Sequence, residues 1–201
     1  MKIYDISQEV FSCRVYPGDP KPTINKVLSM ENGDVCNLTE FSMCAHNGTH
    51  VDAPYHFVNK GKTVDMLDLN KLVGYVYVVA FDGEITGSNA EYIINRAKCV
   101  HNDAWHRILI KGKGVVSEEA AIIFAEQGIY LIGSESQTVG PEDAPAMVHN
   151  ILLSNDIVLL EGICLEKVKE GVYILSSAPL NLAGCDGSPC RAILIDMEHD
   201  L

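Results

Sequence analysis

The chain has 201 residues, of which 47% are apolar, and its formal charge is −12 because 27 Asp and Glu outnumber 15 Lys and Arg. This composition supports one packed domain over residues 1–201 and excludes a disordered chain. The negative charge argues against a nucleic-acid or anionic-membrane surface, and no apolar run is long enough for a membrane-spanning helix. Without an apolar signal segment at the N-terminus, we expect a cytoplasmic protein.

The first half of the chain is predicted to be mainly extended. Short strands are expected at residues 3–6, 23–30 and 37–45, and the sequence Tyr-Pro-Gly-Asp-Pro predicts a turn at residues 16–20. The clearest strand lies at residues 74–81, a run rich in β-branched and aromatic residues.

The second half alternates between helices and strands. Helices are predicted with Ser88 and Ser117 as their N-terminal caps, and a third follows Pro145. In chain order the predicted elements are helix 88–98, strand 107–111, helix 117–127, strand 130–133, helix 145–153, and strands 157–161, 172–175 and 192–195. This alternation predicts an α/β domain with a mixed sheet and flanking helices.

A cluster of potential metal ligands lies in residues 46–56, where the sequence reads His46-Asn-Gly-Thr-His50-Val-Asp52-Ala-Pro-Tyr-His56. The three histidines and the aspartate occupy even positions, which share one face of an extended chain. A straight strand would separate His46 from Asp52 by about 20 Å, so the chain must bend, and Gly48 permits the bend. The pattern indicates a Zn²⁺ or Mn²⁺ site, and a chance cluster of surface histidines is the alternative.

The segment 46–56 resembles the H-x-G-T-H-x-D-x-P-x-H signature of the cyclase-like metal-dependent hydrolases, a family that includes bacterial kynurenine formamidases (arylformamidases) and isatin hydrolases. The resemblance covers nearly the whole chain. It continues in the Tyr16-Pro-Gly-Asp turn, in segment 133–139 with Glu135 where Asp is usual, in the block from His149 to Leu153 followed by Glu161, and in the loop 179–191.

The resemblance implies two sites for divalent cations that share Asp52. His46, His50 and Asp52 would hold one cation, and Asp52, His149 and Glu161 would hold the second. A carboxylate suits the bridging position because it has two oxygens. We expect one or two cations per chain, with Zn²⁺ first and Mn²⁺ as the alternative. From the residues alone, a strand end that reaches solvent is the favoured interpretation of Glu161, and the motif together with His149 favours a metal ligand instead.

His56 is assigned to proton transfer, because an imidazole with a pKa near 6.5 exchanges protons at neutral pH. A third ligand, or a histidine that supports a ligand, is the alternative. Tyr16 and Phe57 could stack on an aryl substrate or simply pack in the core. Arg191 could neutralise a substrate carboxylate or form a structural salt bridge.

For the whole protein, the resemblance implies a β/β/α cyclase-like fold, a homodimer or tetramer, and hydrolysis of the C–N bond of a small amide. The expected substrate is an aryl formamide, with N-formylkynurenine converted to kynurenine and formate in tryptophan degradation. Tyr16, where Trp is usual in kynurenine formamidases, and Glu135 are departures that bear on the substrate. The alternatives are a hydrolase of a cyclic imide or lactam such as isatin, a metal-binding module without turnover, and a hydrolase with Cys44 as nucleophile.

The remaining cysteines and histidines are predicted to have no chemical role. Seven cysteines at scattered spacings, with no C-x-x-C pair, are expected to be reduced thiols. His101, His106 and His199 lie in polar stretches and are expected at the surface.

Overall fold

A nine-stranded mixed sheet organises the chain in the computed structural model, which describes residues 1–197. Its four central strands are parallel, and every flanking strand is antiparallel to its neighbour. In spatial order the strands are β1 (Lys2–Asp5), β13 (Ile193–Asp196), β11 (Gly171–Ser176), β5 (Val73–Ala80), β7 (Arg107–Lys111), β9 (Leu131–Ser134), β10 (Val158–Glu161), β4 (His50–Asp52) and β12 (Gly187–Pro189). The predicted α/β class with a mixed sheet is confirmed.

Two small sheets accompany the main one. The first is an antiparallel hairpin of β2 (Thr23–Leu28) and β3 (Leu38–Ser42), whose residues are almost all exposed. The second pairs β6 (Gly83–Ile85) with β8 (Gly114–Val116) in parallel. Both hairpin strands are shorter than predicted. Strand β2 ends at Leu28 because Met30 already belongs to a 3₁₀ turn.

The α-helices of the described chain connect consecutive parallel strands. They are α1 (Gly87–Val100), α2 (Glu118–Glu126) and α3 (Ala146–Ser154). Ser117 caps α2 as predicted, with its hydroxyl accepting a hydrogen bond from Ala120 N. The predicted cap of α1 at Ser88 is wrong. Thr86 caps that helix, because Thr86 and Asn89 satisfy each other's backbone N–H groups in a capping box.

Apolar side chains bury both faces of the central strands. Along β5, Tyr77 and Val79 pack under the three helices, whereas Val76 and Val78 face the opposite core. The curled sheet closes that second core, which also receives side chains from β1, β4, β11 and β13. Parallel strands buried on both faces are typically continuous apolar runs, which is why these strands were recognisable from the sequence.

The remaining predictions concern two histidines that were expected at the surface and the absence of a membrane-spanning helix. His199 lies outside the described residues. His106 is half-buried between the rings of Trp105 and Tyr130, at centroid distances of 3.7 and 4.3 Å. Among residues 1–197, no helix is both long enough and apolar enough to cross a membrane.

Candidate metal centre

Strand β4 places the central pair of candidate ligands. His50 lies opposite Glu161 of β10, and Asp52 follows two residues later, so the three side chains share one face of the sheet. Val51, between them, points into the opposite apolar core. His50, Asp52 and Glu161 are each at most 2% exposed. Such buried polar groups require compensating partners.

The bend predicted at Gly48 is present and brings His46 back over β4. Gly48 has a φ of +71°, in the left-handed region that favours glycine. The next residue, Thr49, anchors the bend because its hydroxyl donates to Gly162 O at 2.5 Å. The Thr49 hydroxyl in turn accepts from Gln8 N at 2.9 Å. The N-terminal segment therefore holds this part of the motif against the end of β10.

His46, His50 and Asp52 form the first of the two groups that the family resemblance implies. Nδ1 of His46 is 2.8 Å from Oδ1 of Asp52, and Nε2 of His50 is 3.3 Å from the same oxygen. The Nδ1–H of His50 donates to Gly48 O at 2.9 Å, so Nε2 is the nitrogen that faces the carboxylates. Ligating atoms of all three residues lie within 4.8 Å of one another.

His149, Asp52 and Glu161 form the second group. His149 lies on α3, and its Nδ1–H donates to Pro145 O at 2.9 Å, within the first turn of the helix. Its Nε2 is 3.2 Å from Glu161 Oε1 and 3.6 Å from Asp52 Oδ2. Val139 N donates to the same Glu161 oxygen at 2.9 Å. Asp52 thus directs one oxygen to each group.

The electrostatics of the two groups fit a divalent cation. Burial disfavours a charged imidazole, yet Asp52 and Glu161 raise the pKa of His50 to about 10. Burial likewise favours a neutral carboxyl, yet His46 and His50 hold the pKa of Asp52 well below its usual range. The buried carboxylates therefore demand positive charge, and Asp52 Oδ2 has no hydrogen-bond partner within residues 1–197. Imidazole nitrogens and carboxylate oxygens are the ligands that Zn²⁺ and Mn²⁺ accept.

His56 lies at the rim of this cluster, in the 3₁₀ turn Pro54–His56. Its ring stacks on His46 at a centroid distance of 3.9 Å, and its side chain is 27% exposed. Burial lowers its pKa from the ordinary value. A partly exposed imidazole beside the ligand cluster is suitably placed for proton transfer, and its nearness to His46 keeps the alternative of a third ligand open. The role of His56 stays a prediction.

Asp186 is the residue of the cluster that sequence reasoning missed. Its Oδ2 is 2.8 Å from His46 Nε2 and 3.2 Å from His56 Nδ1. The signal that could have found it is the Gly-x-Asp-Gly sequence of the loop 179–191, which was noted as part of the resemblance and given no role.

The three candidate substrate residues differ in their surroundings. Phe57 packs against His56 and His149, with centroid distances of 4.6 and 4.7 Å. The Tyr16 hydroxyl donates to Glu142 O at 3.2 Å. Only Phe57 therefore lies directly against the candidate centre, and both aromatic assignments stay predictions.

Arg191 is engaged in an ion pair. Its guanidinium contacts both carboxylate oxygens of Asp5, with Nε 3.0 Å from each, on the exposed surface. This geometry favours the salt-bridge alternative over a role in substrate binding.

Two further sequence-based interpretations can be compared with the structure. The Glu135 carboxylate accepts from Gly112 N and Leu165 N, both at 2.7 Å, so backbone contacts account for the residue at this position. Burial raises the pKa of the Cys44 thiol. That shift disfavours the thiolate that a cysteine nucleophile requires.

Three comparisons relate the chain to known proteins. Residues 4–111 match the Cyclase family model. A kynurenine formamidase of Bacillus anthracis is 33% identical over 208 residues, which cover 96% of this chain and 97% of that protein. A solved structure described as a potential metal-dependent hydrolase with cyclase activity has a TM-score of 0.80 at 27% identity, covering 96% of both chains. Isatin hydrolase A of Labrenzia aggregata has the same fold, with a TM-score of 0.81 at 20% identity and coverage of 96% and 93%.

Proposed function

Because the chain belongs to the Cyclase family, we propose that it is a metal-dependent hydrolase of the C–N bond in a small aryl formamide. N-formylkynurenine, which would yield kynurenine and formate, is the proposed substrate. The observation that carries the proposal is the sharing of Asp52 between two groups of ligand-type residues, with a proton-transfer candidate at their rim.

Each residue of the cluster has a proposed part in the reaction. His46, His50 and Asp52 would hold one divalent cation, and Asp52, His149 and Glu161 the second. The chemistry that a bound cation supplies is Lewis-acid polarisation of the amide carbonyl together with a lower pKa for water. His56 would hold a proton on its ring and deliver it to the departing nitrogen. Phe57 would offer an aromatic face to the aryl group.

We also propose the finer properties that the resemblance implies. Zn²⁺ is the proposed ion, with Mn²⁺ as the alternative that the same ligands accept. The protein would act in the cytoplasm as a homodimer or tetramer. Elemental analysis of the untreated protein, expressed as atoms per chain, measures both the identity of the ion and the number of filled sites.

The test of this function combines metal content with turnover. Wild type, His56→Ala and the control His101→Ala are assayed on N-formylkynurenine, formanilide and isatin. We expect His56→Ala to keep its metal and to lose about 10²- to 10⁴-fold in kcat on the formamides, the range for general acid–base groups. His101→Ala should match wild type, because His101 packs on Tyr75, outside the cluster.

Two results would contradict the proposal. A metal-loaded wild type that hydrolyses none of the three substrates would favour a binding module without turnover. Faster hydrolysis of isatin than of both formamides would move the substrate class to cyclic lactams.

A further inference from the structure

Asp186 contacts both His46, a candidate metal ligand, and His56, the candidate for proton transfer. It lies immediately before β12, and its backbone carbonyl accepts from Ala53 N at 2.9 Å, which fixes the loop against the ligand motif. A single side-chain oxygen, Oδ2, faces both His46 Nε2 at 2.8 Å and His56 Nδ1 at 3.2 Å. The two rings are stacked, so one carboxylate reaches both of their edges.

An ionised carboxylate accepts hydrogen bonds and donates none. A nitrogen that faces Asp186 must therefore carry the hydrogen. A neutral imidazole has only one N–H, so the opposite nitrogen of each ring keeps its lone pair. For His46 the opposite nitrogen is Nδ1, which lies 2.8 Å from Asp52 Oδ1. Both nitrogens of His46 therefore face carboxylates, and a cation bound at Asp52 would take the place of the hydrogen on Nδ1 and leave the hydrogen on Nε2. For His56 the opposite nitrogen is Nε2.

The other two histidines of the centre are oriented differently. Backbone carbonyls, Gly48 O and Pro145 O, accept from the Nδ1–H groups of His50 and His149. Both of those rings therefore present Nε2 to the carboxylates. His46 is the exception, because its Nδ1 faces Asp52 and a side chain holds its Nε2.

We propose that Asp186 is a positioning residue that fixes the tautomers of His46 and His56 together. It makes Nδ1 the ligating atom of His46 and leaves Nε2 of His56 free to exchange a proton with the substrate. The catalytic half of this inference rests on the proposed function, whereas the tautomers themselves can be observed without substrate.

The first experiment reads the tautomers directly. Protein labelled with ¹⁵N-histidine and loaded with Zn²⁺ is studied by long-range ¹H–¹⁵N NMR in wild type, Asp186→Asn, Asp186→Ala and the control Asp143→Ala, which changes an exposed acid. Wild type and control should show a hydrogen on His46 Nε2 and on His56 Nδ1. In Asp186→Ala the His56 hydrogen should move to Nε2, at least in part. In Asp186→Asn the amide oxygen can still accept a hydrogen bond, so the fraction of His56 with its hydrogen on Nδ1 should lie between those of wild type and Asp186→Ala.

The second experiment distinguishes the effect of Asp186 on Zn²⁺ binding through His46 from its effect on turnover through His56. Removing a carboxylate that hydrogen-bonds to a metal-bound histidine typically lowers metal affinity or activity 10- to 100-fold. Asp186→Ala should therefore lower the affinity for Zn²⁺, measured by competition with a chelator, by about that factor. With saturating Zn²⁺, kcat should fall about 10- to 100-fold at little change in KM. In a His56→Ala background, adding Asp186→Ala should change kcat by less than about twofold, while the loss of Zn²⁺ affinity persists.

The inference is overturned if His56 keeps its hydrogen on Nδ1 in Asp186→Ala, or if the kcat losses of the two substitutions multiply. A wild type that hydrolyses none of the amides would contradict the proposed function alone, since the tautomers are measured without substrate.

Discussion

Backbone groups around the candidate centre fix its geometry as much as the ligands do. Gly162 follows Glu161 directly and has a φ of +66°. Its carbonyl accepts from the Thr49 hydroxyl and from the Gln8 amide, at 2.5 and 2.8 Å. A Cβ at this position would lie 2.6 Å from Gly48 O, so the end of β10 and the bend of the ligand motif can approach only across a glycine.

We predict that Gly162→Ala destabilises the protein by more than about 2 kcal/mol, because strain of the backbone, about 1–2 kcal/mol, adds to the backbone clash. Gly128→Ala is the matched control, since Gly128 has a φ of +72° and an added Cβ would meet no described atom within 4 Å beyond the glycine and its two chain neighbours. Urea unfolding measures both. Equal losses for the two variants would show that the contact between Gly162 and Gly48 contributes nothing.

Glu135 offers a second prediction at this scale. One of its carboxylate oxygens accepts from Gly112 N and the other from Leu165 N, so the side chain joins two loops. The shorter Glu135→Asp should lose at least one of these bonds and cost about 1–3 kcal/mol in unfolding free energy. The ratio of kcat/KM between N-formylkynurenine and isatin should not change. A shift in that ratio would contradict the assignment of Glu135 to the scaffold.

The residues of the cluster were not equally predictable from the sequence. His46, His50, Asp52 and His56 can be recognised in the sequence as candidate ligands, because they lie within eleven residues and the chain between them contains a bend. Asp186 forms its hydrogen bond to His46 across 140 residues, and no periodicity links two such positions. Its position beside the ligand motif depends on the pairing of β12 with β4, which places Gly187 opposite Asp52.

At the scale of elements, length decided what could be recognised. The central strands and the three helices were predicted within a few residues, since the strands are continuous apolar runs and two of the helices, α1 and α2, begin at side-chain caps. Strands β4 and β12 have three residues each, which is too short for any periodicity. Their pairing is dictated by neighbours, with β4 between β10 and β12 in antiparallel register.

The connection between α3 and β10 supports the third prediction. Asp156 has a φ of +60°, in the left-handed region, and its Oδ2 pairs with Lys62 and Lys71 at 2.8 and 2.7 Å. Partial burial opposes ionisation, but the two lysines lower the pKa of Asp156 from its ordinary value of 3.8. A lowered pKa means stabilisation that is present above pH 3.8 and is lost as the pH falls through the lowered value.

We therefore expect Asp156→Asn to cost less than about 1 kcal/mol at pH 7, because Asp156 and Lys62 are each more than one-third exposed and solvent screens their interaction. The difference from wild type should shrink below pH 3.8. Asp156→Ala should cost about 1–2 kcal/mol more at every pH, since alanine tolerates the left-handed region less well than asparagine. Urea unfolding between pH 2 and pH 7 measures the change in unfolding free energy for both variants. A cost for Asp156→Asn that does not change with pH would refute the ion-pair assignment.

At the scale of the whole molecule, the candidate centre connects separate parts of the fold. His50 and Asp52 come from β4, His149 from α3 and Glu161 from the end of the parallel strand β10. Ligands of parallel sheets are commonly bound outside the carboxyl ends of the strands, and this cluster has that position. A cation held by these side chains would link the helical layer to the curled edge of the sheet, so its binding should be visible in global stability.

The fourth prediction follows from this linkage. A ligand that binds only the folded state stabilises it by about 2.7 kcal/mol at a free concentration of 100 times its Kd. Added Zn²⁺ should therefore raise the Tm of chelator-treated wild type, measured by differential scanning calorimetry. Asp52→Asn, which is of the same size but removes the charge shared by both groups, should abolish most of the increase. The control Asp143→Asn should retain the full increase, because Asp143 is exposed. An equal rise of Tm in all three proteins would place the stabilising Zn²⁺ elsewhere and refute the assignment of Asp52 to both sites.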